Sequence, residues 1–189
     1  MGITQTIPPT EMPVSLVEAK LHLRVDIAND DSVITRNIYA ATSFMENQAG
    51  IQMVNASWAY TRAGFSDEMK LPITPLSSVS SIAYADVNNA TKTLASSVYQ
   101  VHTNEKPGLI TLAYGQSWPD TIGIKNDVTI TFVAGYGTAA DVPYELKAAC
   151  LLLVGHLYEN RELSSTLTIK EVPMAFAALL SQYRMRGMP

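Results

Sequence analysis

The period of the apolar residues changes twice along this chain, and those two changes restrict the folds open to it. Ile34, Ile38, Ala41 and Met45 recur at i, i+4, i+7 and i+11, which is one face of a helix over residues 31–49. Leu146, Cys150, Leu153 and Leu157 repeat that spacing near the other end. Between them, residues 51–138 are rich in Val, Ile, Thr, Tyr and Ser broken by turn residues, the pattern of short strands. Apolar faces on helices at both ends must be buried, and they are best buried against each other. The sequence therefore predicts an α+β fold. A small bundle of about four helices comes from residues 1–50 and 139–189, with residues 51–138 inserted as an antiparallel β-rich lobe.

Local signals sharpen the elements. Ser15 and Glu18 have the spacing of a capping box, just after Pro13, and start a first helix carrying Leu16, Ala19 and Leu23 that ends near residues 24–26. Asn29, Asp30 and Asp31 offer N-caps for the second helix, and Gly50 supplies its left-handed stop. In the lobe, Trp58, Tyr60 and Arg62 alternate with small residues, and Val79 to Tyr84 lead into a turn at Asp86-Val87-Asn88-Asn89. Tyr99 with Val101, Leu109 to Leu112 and Val128 to Val133 are further strands, giving five to seven in all and no helix in this stretch. Pro143 stands at the first position of the third helix, which runs to about Glu162 and is apolar nearly all round, as suits the centre of a bundle or an interface. Ser164 to Thr168 read as a loop, and Pro173 opens a last helix with Phe176, Leu179, Leu180 and Tyr183.

Composition narrows function by exclusion. Of 189 residues, 47% are hydrophobic and only 16% charged, so some surface is expected to be reserved for partners. A net charge of -4 without a Lys/Arg cluster excludes an outer face that wraps nucleic acid. Cys150 is the single cysteine and lies in an apolar run, where it reads as a buried small hydrophobe. The first residues lack the basic and apolar regions of a secretory signal, and no apolar run approaches the ~20 residues of a membrane span, so a soluble chain is expected.

Chemical motifs are equally sparse. His156 and Glu159 stand three apart on one helix, half of a carboxylate-rich metal site, but no second pair accompanies them and a helix-end hydrogen-bond network is expected instead. Gly135-Tyr136-Gly137 has neither the third glycine of a dinucleotide fingerprint nor the Lys-Ser/Thr of a phosphate loop, and reads as a backbone turn. Asp30 and Asp31, being adjacent, point apart and fit a helix start. His22 and His102 have no evident partner. Trp58, Tyr60, Tyr84, Tyr114 and Trp118 lack interleaved cations and are assigned to core and hairpin packing. No catalytic residue, metal ligand or cofactor site emerges, so an enzyme is not expected. Arg161, Arg184 and Arg186 read either as solvated helix ends, where cations complement the dipole, or as ion pairs between copies with Glu159, Glu162 or Glu171, since a guanidinium fixes orientation between rigid helices; the terminal position of Arg184 and Arg186 favours solvation in the free chain.

Several short motifs occur in a telling order: Leu16 to Val25 followed by Asp30-Asp31; Leu71-Pro72 with Pro75-Leu76 and Val79; Trp118-Pro119; Phe132 to Gly137 with Val142-Pro143; Ala148 to Arg161; and Val172-Pro173 with Tyr183-Arg184. Together they resemble the head–tail connector (adaptor) family of tailed bacteriophages and prophages, in particular its longer members with an inserted β-lobe. The resemblance implies a structural virion protein of the head–tail neck, made in the bacterial cytoplasm. It would assemble as a ring, commonly twelve-fold, below the portal after DNA packaging, though the free chain could be monomeric. The ring would extend the DNA channel without sequence-specific binding and give neck or tail-completion proteins a platform, with the C-terminal segment reaching the portal. Tyr158, Glu159, Arg161, Glu162, Tyr183, Arg184 and Arg186 are the expected contact residues. The alternative is a small-ligand or glycan-binding accessory module with a pocket around Trp58 or Trp118.

Overall fold

The computed structural model describes residues 1–160 and 174–184. They divide into two compact units: one holds the described residues of Glu11–Val54 and Gly137–Arg186, the other Met1–Thr10 with Asn55–Tyr136.

The first unit is helical. Helix α1 (Leu16–Leu23) starts at the expected capping box: the Ser15 hydroxyl accepts from the Glu18 N–H at 3.2 Å and the Glu18 carboxylate accepts from the Ser15 N–H at 2.7 Å. It ends at Arg24, whose left-handed backbone (φ 57°) lets Val25 N–H reach back to the Lys20 carbonyl. A 3-10 turn at Ala28–Asp30 leads into α2 (Asp31–Ala49), stopped by Gly50 at φ 67°. Its inward face is Ile34, Asn37, Ile38, Ala41, Thr42, Met45 and Ala49. Helix α3 (Tyr144–Glu159) buries Leu146, Ala149, Cys150, Leu153 and Val154, and α4 (Met174–Ser181) buries Phe176 and Leu180. Helix α2 packs on α1, α3 and α4, and α3 packs on α1 and α4.

Helix α3 departs from the sequence reading at both ends. Pro143 lies one residue outside it, as the N-cap with an extended ψ of 137°, because a preceding 3-10 turn at Ala139–Asp141 has its own box between Thr138 and Asp141. At the other end α3 stops at Glu159, where Asn160 N–H and Nδ2 both donate to the His156 carbonyl. The anticipated extension to Glu162, the loop 164–168 and the opening of the last helix at Pro173 fall outside the described residues.

The second unit holds two antiparallel sheets. Strands β1 (Gly2–Ile7), β2 (Ala56–Arg62), β4 (Leu76–Ala85), β5 (Thr91–Thr93) and β8 (Val128–Ala134) form one sheet in the order β1-β2-β8-β4-β5. Strands β3 (Glu68–Lys70), β6 (Tyr99–His102) and β7 (Leu109–Leu112) form the other, ordered β3-β7-β6. The middle strand β8 shows the cleanest alternation, with Val128, Ile130, Phe132 and Ala134 buried and the residues between them half-buried. Those four join Ile82 and Leu76 of the large sheet, Met69 and Ile110 of the small one and Leu71 just after β3 in a single core.

Two expectations need correction here. Residues 1–10 were placed with the helices, yet Gly2–Ile7 pair in antiparallel register with β2, Gly2 facing Thr61 and Gln5 facing Trp58. Their β-branched Ile and Thr residues favour a strand, and Pro8-Pro9 end it because proline cannot donate to a ladder. The lobe is also not free of helix, since Ser96–Val98 form a 3-10 turn before β6.

Turn chemistry sets the sheet ends. The Asp86 carboxylate accepts from the N–H groups of Asn88 and Ala90, both at 2.9 Å, while Asn89 takes φ 62°. Gly135 has φ +136°, and a side chain there would place Cβ 2.6 Å from the Asn55 nitrogen, so the close passage of the two backbones requires glycine.

Candidate interaction surface

The helical unit carries most of the residues expected to make contacts, and it uses three of them internally. Tyr158, in the last turn of α3, donates its hydroxyl to the Asp30 carboxylate. Next to it, Asp31 pairs with Lys20 Nζ at 2.6 Å, and the same ammonium donates to the Ile27 carbonyl at 3.0 Å. The adjacent carboxylates thus point to different partners and lock the α1–α2 connection. Tyr183 donates to Glu145 at 3.2 Å, and burial, followed by the Glu145 charge, holds its phenol above the usual range. Arg184 Nε donates to the Gln48 carbonyl at 3.2 Å, placing a cation at the C-terminal turn of α2 where the helix dipole favours it.

Glu159 is exposed at the end of α3. Arg161, Glu162 and Arg186 lie outside the described residues. His156 Nδ1 lies 3.4 Å from Asn160 Nδ2, part of the helix-end arrangement. His102, which had no evident partner in sequence, meets the Thr111 hydroxyl at 2.9 Å across the β6–β7 pair.

One group had no sequence signal at all. Glu46 lies on α2 beside the buried face, and the chain after Gly50 folds back over it. Its Oε1 accepts from the side chain of Gln52, itself buried, at 2.7 Å and from Met53 N–H at 2.9 Å. Burial pushes the Glu46 carboxyl up to about 7, against the opposing pull of the Met53 N–H. Cys150, facing the Thr42 hydroxyl at 3.8 Å, is pushed up to about 11 by burial, so its thiol is an inert core group as expected.

Outward-facing apolar side chains mark where this unit is unfinished. Val17 and Leu21 are 67% and 74% exposed and stand one turn apart on α1. Tyr144 is 83% exposed at the start of α3, with Lys147 Nζ 5.8 Å from its ring centre. Phe44 is exposed on the rim of an open groove shared with Phe176, Leu180 and Arg184. Among the described residues no helix is long and apolar enough to cross a membrane.

In the strand unit, Phe65 stacks on Trp118 with ring centres 4.9 Å apart and planes 2° apart, and meets Tyr84 edge-on at 5.7 Å. Trp58, Tyr60, Tyr84 and Trp118 pack against the core as anticipated. Tyr114 does not: it is fully exposed in the turn after β7, where no neighbouring strand reaches over it.

The whole chain superimposes on chains of known structure. It resembles a chain in the neck of an empty GTA particle computed with C6 symmetry (TM-score 0.81, 19% identity, covering 100% of this chain and 98% of that one). It likewise resembles chains in the virion of a native gene transfer agent particle (0.80, 21%) and in the neck of a native GTA particle computed with C12 symmetry (0.76, 21%), with the same coverage. No curated protein sequence matches it. The model of the head completion protein family matches residues 14–185, from the residue before the α1 capping box to beyond α4, and the chain belongs to that family of phage-like head–tail connector proteins.

Proposed function

We propose that this structural head–tail neck protein closes into a ring beneath the portal, extends the DNA channel and provides the platform to which neck or tail proteins attach. The observation that carries the reading is full-length likeness: 100% of the chain superimposes at a TM-score of 0.81 on a chain from a particle neck computed with rotational symmetry. Exposed Val17, Leu21 and Tyr144 support it, since such side chains on an otherwise well-packed bundle are spare area for a neighbour. The net charge of -4 without a cationic cluster suits a lumen along which DNA slides rather than sticks. A ring requires two different faces on each subunit. Of the contact residues expected from the sequence, exposed Glu159 is the described one free of the internal hydrogen bonds that occupy Tyr158, Tyr183 and Arg184.

Light scattering of the purified protein, alone and mixed with its cognate portal, tests the reading. A ring-sized species with the portal is the expected result, and failure to bind any portal or head particle overturns it. Truncation before Pro173 is expected to keep most helix content while abolishing portal attachment; retained attachment would refute the role given to the C-terminal segment. The glycan-binding alternative requires an open indole face, and Phe65 already covers one face of Trp118.

A further inference from the structure

The two sheets of the strand unit end in four outer strands, and these are unequally protected against pairing with another chain. An outer strand presents unpaired N–H and C=O groups, and proteins blunt such edges with charges, bulges or short length. Strand β5 has three residues, and Lys92 at its centre pairs with Asp86 at 2.8 Å. Strand β3 also has three, with exposed Glu68 and Lys70 at its ends. The part of β4 that extends past β5 is interrupted by two register shifts, between Leu76 and Ser78 and between Val79 and Ser81. Each of these three edges is guarded.

Among the described residues the other two outer strands are open. Strand β1 has six residues, all exposed, and carries no charge in Gly2-Ile3-Thr4-Gln5-Thr6-Ile7. Its ladder with β2 is regular from Gly2 to Gln5, the single irregularity following at its end. Strand β6, Tyr99-Gln100-Val101-His102, holds no Asp, Glu, Lys or Arg and, among the described residues, pairs with β7 on one side only. The open edges lie on different sheets and differ in sequence. That is what a head-to-tail contact between identical subunits needs, because its two faces must be distinct.

We propose that the β1 edge of one copy pairs with the β6 edge of the next, joining the five-stranded sheet of one subunit to the three-stranded sheet of its neighbour around the ring. The occupant of the β1 edge is a second copy of this chain, selected by the match of two open edges, neither holding Asp, Glu, Lys or Arg, against three guarded ones. The joint is limited by the four residues of β6 and buries far less than the ~1,200 Å² of a stable protein interface. It therefore adds register to a contact made mainly elsewhere, and leaves the free chain a monomer.

This inference rests on the ring reading, and amide hydrogen exchange separates the two. Exchange is measured on the free chain and on rings assembled with the portal, for the wild type and for Thr4→Lys, which places a guarding charge on the open edge. In wild-type rings, amides of residues 2–7 and 99–102 are expected to slow at least tenfold together, while Thr4→Lys keeps the monomer melting temperature and lowers ring yield at least tenfold. Rings in which either strand exchanges as fast as in the free chain overturn the strand joint and leave the ring intact as a conclusion, as do full yields of Thr4→Lys rings with unprotected β6 amides. Absence of any ring with the portal overturns both.

Discussion

Glu46 gives the protein a built-in dependence of stability on pH. The carboxyl goes from 4.5, its ordinary value, to about 7 in the folded chain, where burial against the segment after Gly50 penalises the charge. Between those values the folded state holds a proton that the unfolded state has released, so stability falls as pH rises. It is fully present below about 4.5 and lost once the pH passes 7. At about 1.4 kcal/mol per pH unit the loss attributable to this group comes to about 3 kcal/mol. Glu46→Gln isolates it. The amide oxygen can still accept from Gln52 and Met53 N–H, as the oxygen of the protonated acid does, and no charge forms at any pH. Urea denaturation of wild type and variant from pH 4 to 8.5 is the assay. Groups common to both proteins cancel in the difference, and the Cys150 thiol, at about 11, stays protonated throughout. The two stabilities should agree near pH 4 and separate above pH 5, with the variant more stable by up to about 3 kcal/mol at pH 8. Parallel curves, or a variant that is the less stable at pH 8, would refute the reasoning.

Three further outcomes follow from single contacts. Ser15→Ala removes the hydroxyl that caps α1 and should cost about 1 kcal/mol in urea denaturation, with Ser15→Asn recovering most of it. Gly135→Ala forces a side chain onto a backbone at φ +136° and into the Asn55 nitrogen; a loss of about 3 kcal/mol or more is expected by thermal melting, and a neutral result would mean that the approach of the two backbones is misplaced. Tyr158→Phe deletes a hydrogen bond to a carboxylate and should destabilise the isolated chain by about 2 kcal/mol; an unchanged monomer with impaired ring assembly would return Tyr158 to the subunit interface.

Where the sequence was legible, the deciding interactions are local. Helix α2 spans Asp31–Ala49, the span its spacing predicts, because both its stop at Gly50 and its inward row at Ile34, Ile38, Ala41 and Met45 are encoded within it. The Ser15–Glu18 box is likewise a three-residue matter. Strand β8 was readable because it is buried on alternate residues along its whole length. The failures involve distance along the chain. Gly2–Ile7 look like a tail before two prolines until β2, more than fifty residues later, is there to pair with them. The hydroxyl of Tyr158 finds Asp30 across 128 residues, and helix periodicity, which placed Tyr158 at a helix end, says nothing of what lies opposite. The unusual proton affinity of Glu46 arises only when Gln52 and Met53 fold over it, so no motif could announce it.

The internal use of Tyr158, Tyr183 and Arg184 bears on what kind of surface the proposed ring contact would be. An interface built on guanidinium pairs would be directional, with its geometry fixed by bidentate hydrogen bonds. In the described part of the helical unit, exposed Arg24 and Arg36 stand alongside exposed apolar side chains, Val17 and Leu21 in a row on α1 and Tyr144 at the head of α3. Burying one such side chain is worth about 1.5–3 kcal/mol, but apolar contact carries little orientation of its own. A ring that must close after a fixed number of copies needs orientation as well as adhesion, since a small angular error in a head-to-tail contact gives an open helix rather than a circle. The proposed pairing of β1 with β6 would supply that missing element, because hydrogen bonds along an edge fix both register and direction. In the proposed ring the exposed apolar side chains and the two unguarded sheet edges would be complementary: the first would provide area without geometry, and the second geometry without much area.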